Sequence, residues 1–281
     1  MNRTVPDRLR RLPALFDWRV ALLVMGLVVI AVPYVWITLT AFKHRVDAAA
    51  VPPVLVSPVT IENFRTIFDG PYLGSLVNTA IITFTTTIAT LAIGVPAGYA
   101  FARGKFPGKM LLAGWLLFSR MMPPVIFIVP LFLYFQRLRL INTFTGLTLA
   151  YMTGLLPFTV WMMAAYFADV PEELEEAARV DGATRKQSFT KVALPLALPG
   201  VSTVGLLIAI ASLGEYFIPF ILAGIDTTPA SVGVVNYVGA NTINWGAMAA
   251  ASLTLIVPVF VLTLVAQKGM IRGLTSGAIK G

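Results

Sequence analysis

Charged positions fall in clusters along the chain, and the stretches between them are long and apolar. Positions 20–42, 70–102 and 140–168 contain no Asp, Glu, Lys or Arg. The stretch 110–136 is interrupted only by Arg120, 192–225 only by Glu215, and 227–267 by no charge at all. About 20 apolar residues in helical form cross the ~30 Å hydrocarbon layer of a bilayer. Backbone polar groups in that layer must be satisfied internally, which selects helix for such runs. The pattern predicts an all-α integral membrane protein with six transmembrane helices, roughly 20–41, 74–102, 110–135, 144–167, 198–223 and 245–266. It divides the chain into a basic N-terminal segment (1–19), a six-helix membrane domain (20–266) with a charged loop at 169–198, and a tail (267–281).

The basic start of the chain and Ala48-Ala49-Ala50 superficially suggest a secretory signal. The first apolar run is longer than the 7–15 residues of a signal core, and the alanines lie well beyond its end. A retained first helix is the expectation.

Lys and Arg in the connecting segments predict orientation, because cytoplasmic loops are enriched in them. With the N-terminus inside, the inner segments hold Arg3, Arg8, Arg10, Arg11 and Arg19, then Arg103, Lys105 and Lys109. The next hold Arg179, Arg185, Lys186 and Lys191, then Lys268, Arg272 and Lys280. The outer segments hold only Lys43, Arg45, Arg65, Arg137 and Arg139. Both termini are therefore expected on the cytoplasmic side. The outer loop 42–73 is Pro-rich with an amphipathic stretch at 61–68 that suits a short surface helix. The outer loop 224–244 carries one acid, Asp226, and reads either as a plain connector or as a neutral loop dipping into a polar cavity.

Composition narrows the function. The 281 residues are 57% hydrophobic and 12% charged, against about 25% charged for soluble domains. That excludes a cytosolic enzyme, a disordered segment and a nucleic-acid-binding module. The net charge of +8 is accounted for by the inner loops. There is no Cys and one His, His44, so thiolate metal sites and His-based dyads are absent. The Gly104-Lys105 and Gly108-Lys109 pairs are followed by Phe and Met, so the chain lacks a phosphate-binding Walker loop. No cofactor is expected on this chain.

The inner loop 169–198 has features of a docking device. Pro171 suits a first helical position, and Glu172, Glu173, Glu175 and Glu176 crowd the first turns, where the helix dipole favours anions. Glu175 and Arg179 are spaced i, i+4 for a side-chain pair, and Gly182 suits the left-handed residue that ends a helix. The spacing predicts a self-capped helix of about 11 residues, ~16 Å long. Leu174, Ala177 and Ala178 form a small apolar stripe on it, suited to seating in a partner's groove. A helix lying on headgroups carries Lys and Arg on its polar face, whereas this one is acidic. Two prolines, Pro195 and Pro199, then turn the chain into the fifth span.

Glu176-Ala177-Ala178, Gly182 and Leu194-Pro195 resemble the EAA loop of permease subunits in bacterial ATP-binding-cassette importers. The longer run from Val170 through Ala183 is similar to the form found in carbohydrate permeases of the maltose-transporter type. Asn63-Phe64, Arg103-Gly-Lys-Phe-Pro107-Gly, the Pro-rich third span and the tail from Gly273 extend the likeness. The resemblance implies a complex of two permeases, two cytoplasmic ATPases and an extracytoplasmic solute-binding protein in the inner membrane. It implies that Glu172, Glu176, Ala177, Ala178, Asp181, Gly182, Leu194 and Pro195 couple the chain to the ATPase. One stretch departs from the pattern: Leu213-Gly214-Glu215-Tyr216-Phe217 stands where such permeases often carry a Trp-Asn-Glu-Phe-like run.

Within the spans, Arg120 and Glu215 are ionisable residues at bilayer depth, which face a bundle interior or pair. A direct or water-mediated pair between them near the translocation path is one expectation; the other is that Glu215 snorkels toward the outside and Arg120 bonds carbonyls freed by Pro123 and Pro124. Asn78, Tyr99, Tyr151, Trp161, Tyr216 and Asn244 have the chemistry to bind a neutral polar solute such as a sugar or polyol. Gly94 and Gly98 form a small-xxx-small face that permits close helix packing. The rival function is an ion-gradient secondary carrier, for which only Arg120 and Glu215 supply titratable groups. An intramembrane enzyme lacks any catalytic constellation.

Overall fold

In a computed structural model the described residues are 18–239 and 242–278, without the side chains of Pro124 and 267–278. The basic segment up to position 17 and the end of the tail lie outside them. Ten helices carry the description: α1 (Trp18–Ala41), α2 (Glu62–Phe68), α3 (Tyr72–Arg103), α4 (Lys109–Met121) and α5 (Pro124–Arg137), then α6 (Phe144–Ala168), α7 (Glu172–Val180), α8 (Arg185–Leu213), α9 (Phe217–Leu222) and α10 (Trp245–Ala278). Single helical turns at Arg45–Ala48 and Ala230–Gly233, a 3-10 turn at Val234–Tyr237 and one isolated bridge, Val238 with Ile243, complete the regular structure of the described residues. Five helices are long and apolar enough to span a membrane, or six if the bent pair α4–α5 is one span.

The expected third span is broken. α4 and α5 meet at 96°, because a residue before proline is driven out of helical backbone. Met122 precedes Pro123 with ψ 129, and Pro123 precedes Pro124 with ψ 132. The fifth span also differs. Pro195 and Pro199 do not turn the chain; they lie inside α8, which starts at Arg185 and stops at Leu213. A capping box at Thr184, with the Gln187 amide N–H donating to its hydroxyl and its own N–H to the Gln187 side chain, starts α8. A wide π turn at Phe189–Ala193 then precedes Pro195, whose ring would press on the Lys191 carbonyl of an uninterrupted helix. The segment 214–216 separates α8 from α9.

Two clusters hold the bundle together. The larger joins Ile82 and Val95 of α3, Leu147, Tyr151, Met163 and Phe167 of α6, and Val204 and Ile208 of α8. Its tightest seam is α3 on α6. A Cβ on Gly94 would meet the Thr159 side chain, and one on Gly98 would lie 2.5 Å from the Met163 Cβ. The smaller cluster packs Ala41, Ile67 and Tyr72 against Ala247, Ala250 and Ala251 of α10. Asn63 of α2 braces that end, donating through Nδ2 to the carbonyls of Ala41 (2.9 Å) and Lys43 (2.7 Å) at the terminus of α1. In α1 itself only Thr40 and Ala41 are buried.

Candidate functional site

The acidic loop folds into α7, tucked under one end of the bundle. α7 has nine residues rather than about 11, and Pro171 is its N-cap, with ψ 128, rather than its first helical residue. Three acids in the first turn, Glu172, Glu173 and Glu175, oppose the positive helix terminus. At the other end Gly182 adopts φ +92. Its N–H donates to the Arg179 carbonyl (3.1 Å) and the Ala183 N–H to that of Ala178 (2.9 Å), the two bonds of a Schellman cap.

The inward face of α7 is polar. Glu175 is 6% exposed and does not pair with Arg179. Arg103, at the end of α3, donates to its Oε1 through Nε at 2.9 Å, with Nη2 at 2.8 Å. Nη2 also donates to the Val170 carbonyl at 2.7 Å. Tyr99, one helical turn before Arg103, donates its hydroxyl to Oε2 of Glu175. The Ser188 hydroxyl of α8 reaches the Glu175 carbonyl at 3.4 Å. The Tyr99 ring packs edge-on to Phe167 (5.3 Å) and against Phe189 (4.6 Å). Side-chain exposures of 15% and 8% put Arg103–Glu175 among buried pairs, where removing one partner typically costs about 3–5 kcal/mol. The contact from Arg103 to the exposed Glu172 at 3.7 Å belongs with surface pairs, worth about 0–1 kcal/mol.

The outward face carries Leu174, Glu176, Ala177, Val180 and Asp181, all exposed, with Ala178 half-buried at the edge. Six of the residues singled out in sequence, Glu172, Glu176, Ala177, Ala178, Asp181 and Gly182, thus lie on or at the end of one short helix. Leu194 and Pro195 lie apart, inside α8. Sequence reasoning missed the Glu175–Arg103 pair and the part Tyr99 plays in it. The available signal was the i, i+4 spacing of Tyr99 and Arg103, which puts both on one face of α3.

The candidates within the membrane do not gather into one constellation. Arg120 and Glu215 are not paired. Arg120 lies over the Phe158 ring at 4.7 Å and reaches the Gly154 carbonyl at 3.4 Å, not the carbonyls near Pro123 and Pro124. Glu215 accepts from the Ile218 amide at 3.1 Å, serving the start of α9, while its carbonyl accepts from Ser231. Asn78 donates to the carbonyls of Asp226 (3.0 Å) and Thr228 (3.2 Å), and Asn142 engages Gly224, Asp226 and Thr227. Together they fasten the 224–229 loop to the bundle. Asn244 accepts from the Ala247 amide at the start of α10. Tyr151 is buried in the core, Tyr216 stacks on Phe220 at 5.4 Å, and Trp161 is exposed.

Several apolar helices with one charged helix folded beneath their end define a multi-pass membrane protein. The chain belongs to the family of binding-protein-dependent transport system inner membrane components, whose model matches residues 91–268. The trehalose transport system permease protein SugB of Mycobacterium tuberculosis is 36% identical over 256 residues, covering 89% of this chain and 92% of the relative. The trehalose/maltose transport system permease protein MalG of Thermococcus litoralis is 32% identical over 276 residues, covering 92% and 96%. A bacterial ABC transporter that imports the acidic polysaccharide alginate has a chain of the same fold, with TM-score 0.76 and 23% identity over 89% of this chain and 94% of that one. The resemblance to permease subunits of carbohydrate importers is thereby established.

Proposed function

We propose that the chain is one of two permease subunits of an ATP-driven importer in a bacterial inner membrane, its partner being a second, homologous chain. Together they form the path for a sugar, polyol or related neutral solute delivered by an extracytoplasmic binding protein. Both termini and α7 lie in the cytoplasm on this reading, supported by the bias of Lys and Arg toward the segments on that side. Two cytoplasmic ATPase subunits bind ATP and Mg, and lipid surrounds the outer faces.

The observation that carries the reading is the two-sidedness of α7. Its buried face is fixed to the bundle by Glu175, and its outer face presents Leu174, Ala177 and Val180 in a rim of acids. Small apolar residues within charge suit a helix seated in a groove of a partner. ATP closes the ATPase dimer, the groove carries α7, and the spans rock between inward and outward access. The named substrates of the trehalose and maltose relatives support the solute class.

Purification of the tagged chain from native membranes tests this. An ATPase is expected to copurify, and Ala177→Arg is expected to lose it, together with ATP-dependent uptake, while remaining in the membrane. Solute uptake by the chain alone in liposomes, driven by an ion gradient, refutes the reading.

A further inference from the structure

The joint between α7 and the rest of the bundle is asymmetric. Along the chain α7 leads into α8 after four residues, and one α turn of α8, Arg185–Ser188, is followed by the π turn at Phe189–Ala193. A π turn interrupts the regular hydrogen-bond ladder and is a frequent site of distortion in helices. Through space, α7 is tied to a different helix. The buried Glu175 carboxylate is gripped by the guanidinium of Arg103 and the hydroxyl of Tyr99, both from α3. Arg103 adds a bond to the Val170 carbonyl at 2.7 Å, so the segment entering α7 is held by the same side chain. α3 in turn is seated on α6 through Gly94 and Gly98, where no Cβ intervenes.

We infer that Tyr99, Arg103 and Glu175 are positioning residues that deliver the displacement of α7 to α3, and through it to α6, while the π turn lets α8 follow with its own movement. The inference rests on the reading of α7 as the ATPase-docking helix and adds the route by which motion enters the spans. Docking uses the outer face of α7 and transmission uses the inner one. The two are separable by mutation: Glu175 faces away from Leu174 and Ala177, so its replacement leaves the docking surface in place.

The absence of Cys makes a clean spin-label experiment possible on the assembled complex. Labels at Arg179→Cys of α7 and Ala100→Cys of α3, both exposed and off the face of Leu174 and Ala177, report the α7–α3 separation without nucleotide and with ATP plus vanadate. With the joint intact the distance distribution is unchanged by nucleotide. In Glu175→Gln it shifts or broadens on adding nucleotide, the ATPase still copurifies, and the ATP hydrolysed per solute imported rises several-fold. A nucleotide-dependent change already present in the intact joint, or an E175Q complex with unchanged separation and wild-type coupling, overturns the inference. Should E175Q fail to assemble, Arg103→Cys with Glu175→Cys, bridged in the membrane by a bifunctional thiosulfonate, decides. Coupling that returns on bridging and is lost on reduction supports transmission. Coupling that stays absent after bridging, or failure of this variant to assemble as well, makes the pair a folding element and overturns the inference. A complex in which the unmodified chain brings down no ATPase refutes the docking reading instead, so the two failures are distinguishable.

Discussion

Adding one methyl group at Gly98 should separate α3 from α6. The built Cβ lies 2.5 Å from the Met163 Cβ and 3.1 Å from the Ala164 amide nitrogen. Both obstacles are fixed to backbone, so no side-chain rotation relieves them. Carbon atoms rest about 3.5–4.0 Å apart, so the helices must part locally by roughly 1 Å. A gap of that size forfeits about a quarter to a half of the attraction of each contact along it. Overpacking of this kind costs about 1–3 kcal/mol, and the rigid obstacles put Gly98→Ala at the upper end. At Gly94 the first obstacle is the Thr159 Cγ2, a side-chain tip, and the backbone-fixed Thr159 Cβ stands farther off than at Gly98, at 2.9 Å. That side chain is held by its hydroxyl donating to the Leu155 carbonyl at 2.8 Å, so Gly94→Ala should cost less without being free. Gly114 of α4 has nothing within 4 Å of a built Cβ, and Gly114→Ala should stabilise by about 0.5–1 kcal/mol through helix propensity. Thermal unfolding of the purified chain in one detergent should rank the variants Gly114→Ala, wild type, Gly94→Ala, Gly98→Ala from most to least stable. A Gly98→Ala protein as stable as Gly114→Ala would refute the claim that contact without Cβ atoms holds this seam.

Gly182 at φ +92 predicts that Gly182→Ala carries about 1–2 kcal/mol of left-handed strain and frays the end of α7, read as faster proteolysis after Val180. Gly182→Asn should be milder, because Asn tolerates that backbone region. Since Arg120 and Glu215 have separate partners, the stability effects of Arg120→Gln and Glu215→Gln should add to within about 0.5 kcal/mol, and a larger coupling in a double-mutant cycle would restore the pairing idea.

The parts legible in the sequence are those in which a single segment decides. The first span, expected at 20–41, forms as Trp18–Ala41, and the fourth, expected at 144–167, forms as Phe144–Ala168. Length without charge is enough to specify such a helix. Where proline intervened, the same reasoning misjudged it in both directions. Two consecutive prolines broke the third span, whereas Pro195 and Pro199, spaced one turn apart, were absorbed by α8 after its π turn. The amide side chains at Asn78 and Asn244 looked like solute ligands because their chemistry is right. Their actual partners are backbone groups, those of Asn78 about 150 positions away. Among the four glutamates of α7, nothing local marks Glu175 as the buried one. Its partners on α3, 72 and 76 positions distant, are fixed only by how the helices assemble.

The first helix packs on α10 at its C-terminal end, where Ile37 and Ala41 meet the smaller cluster and Thr40 and Ala41 are buried. Its apolar stretch before that is uncovered by the rest of the chain. For such a segment selection acts on oiliness and length rather than on shape. Most of its positions are interchangeable among Leu, Ile, Val and Phe, while Thr40 and Ala41 are not.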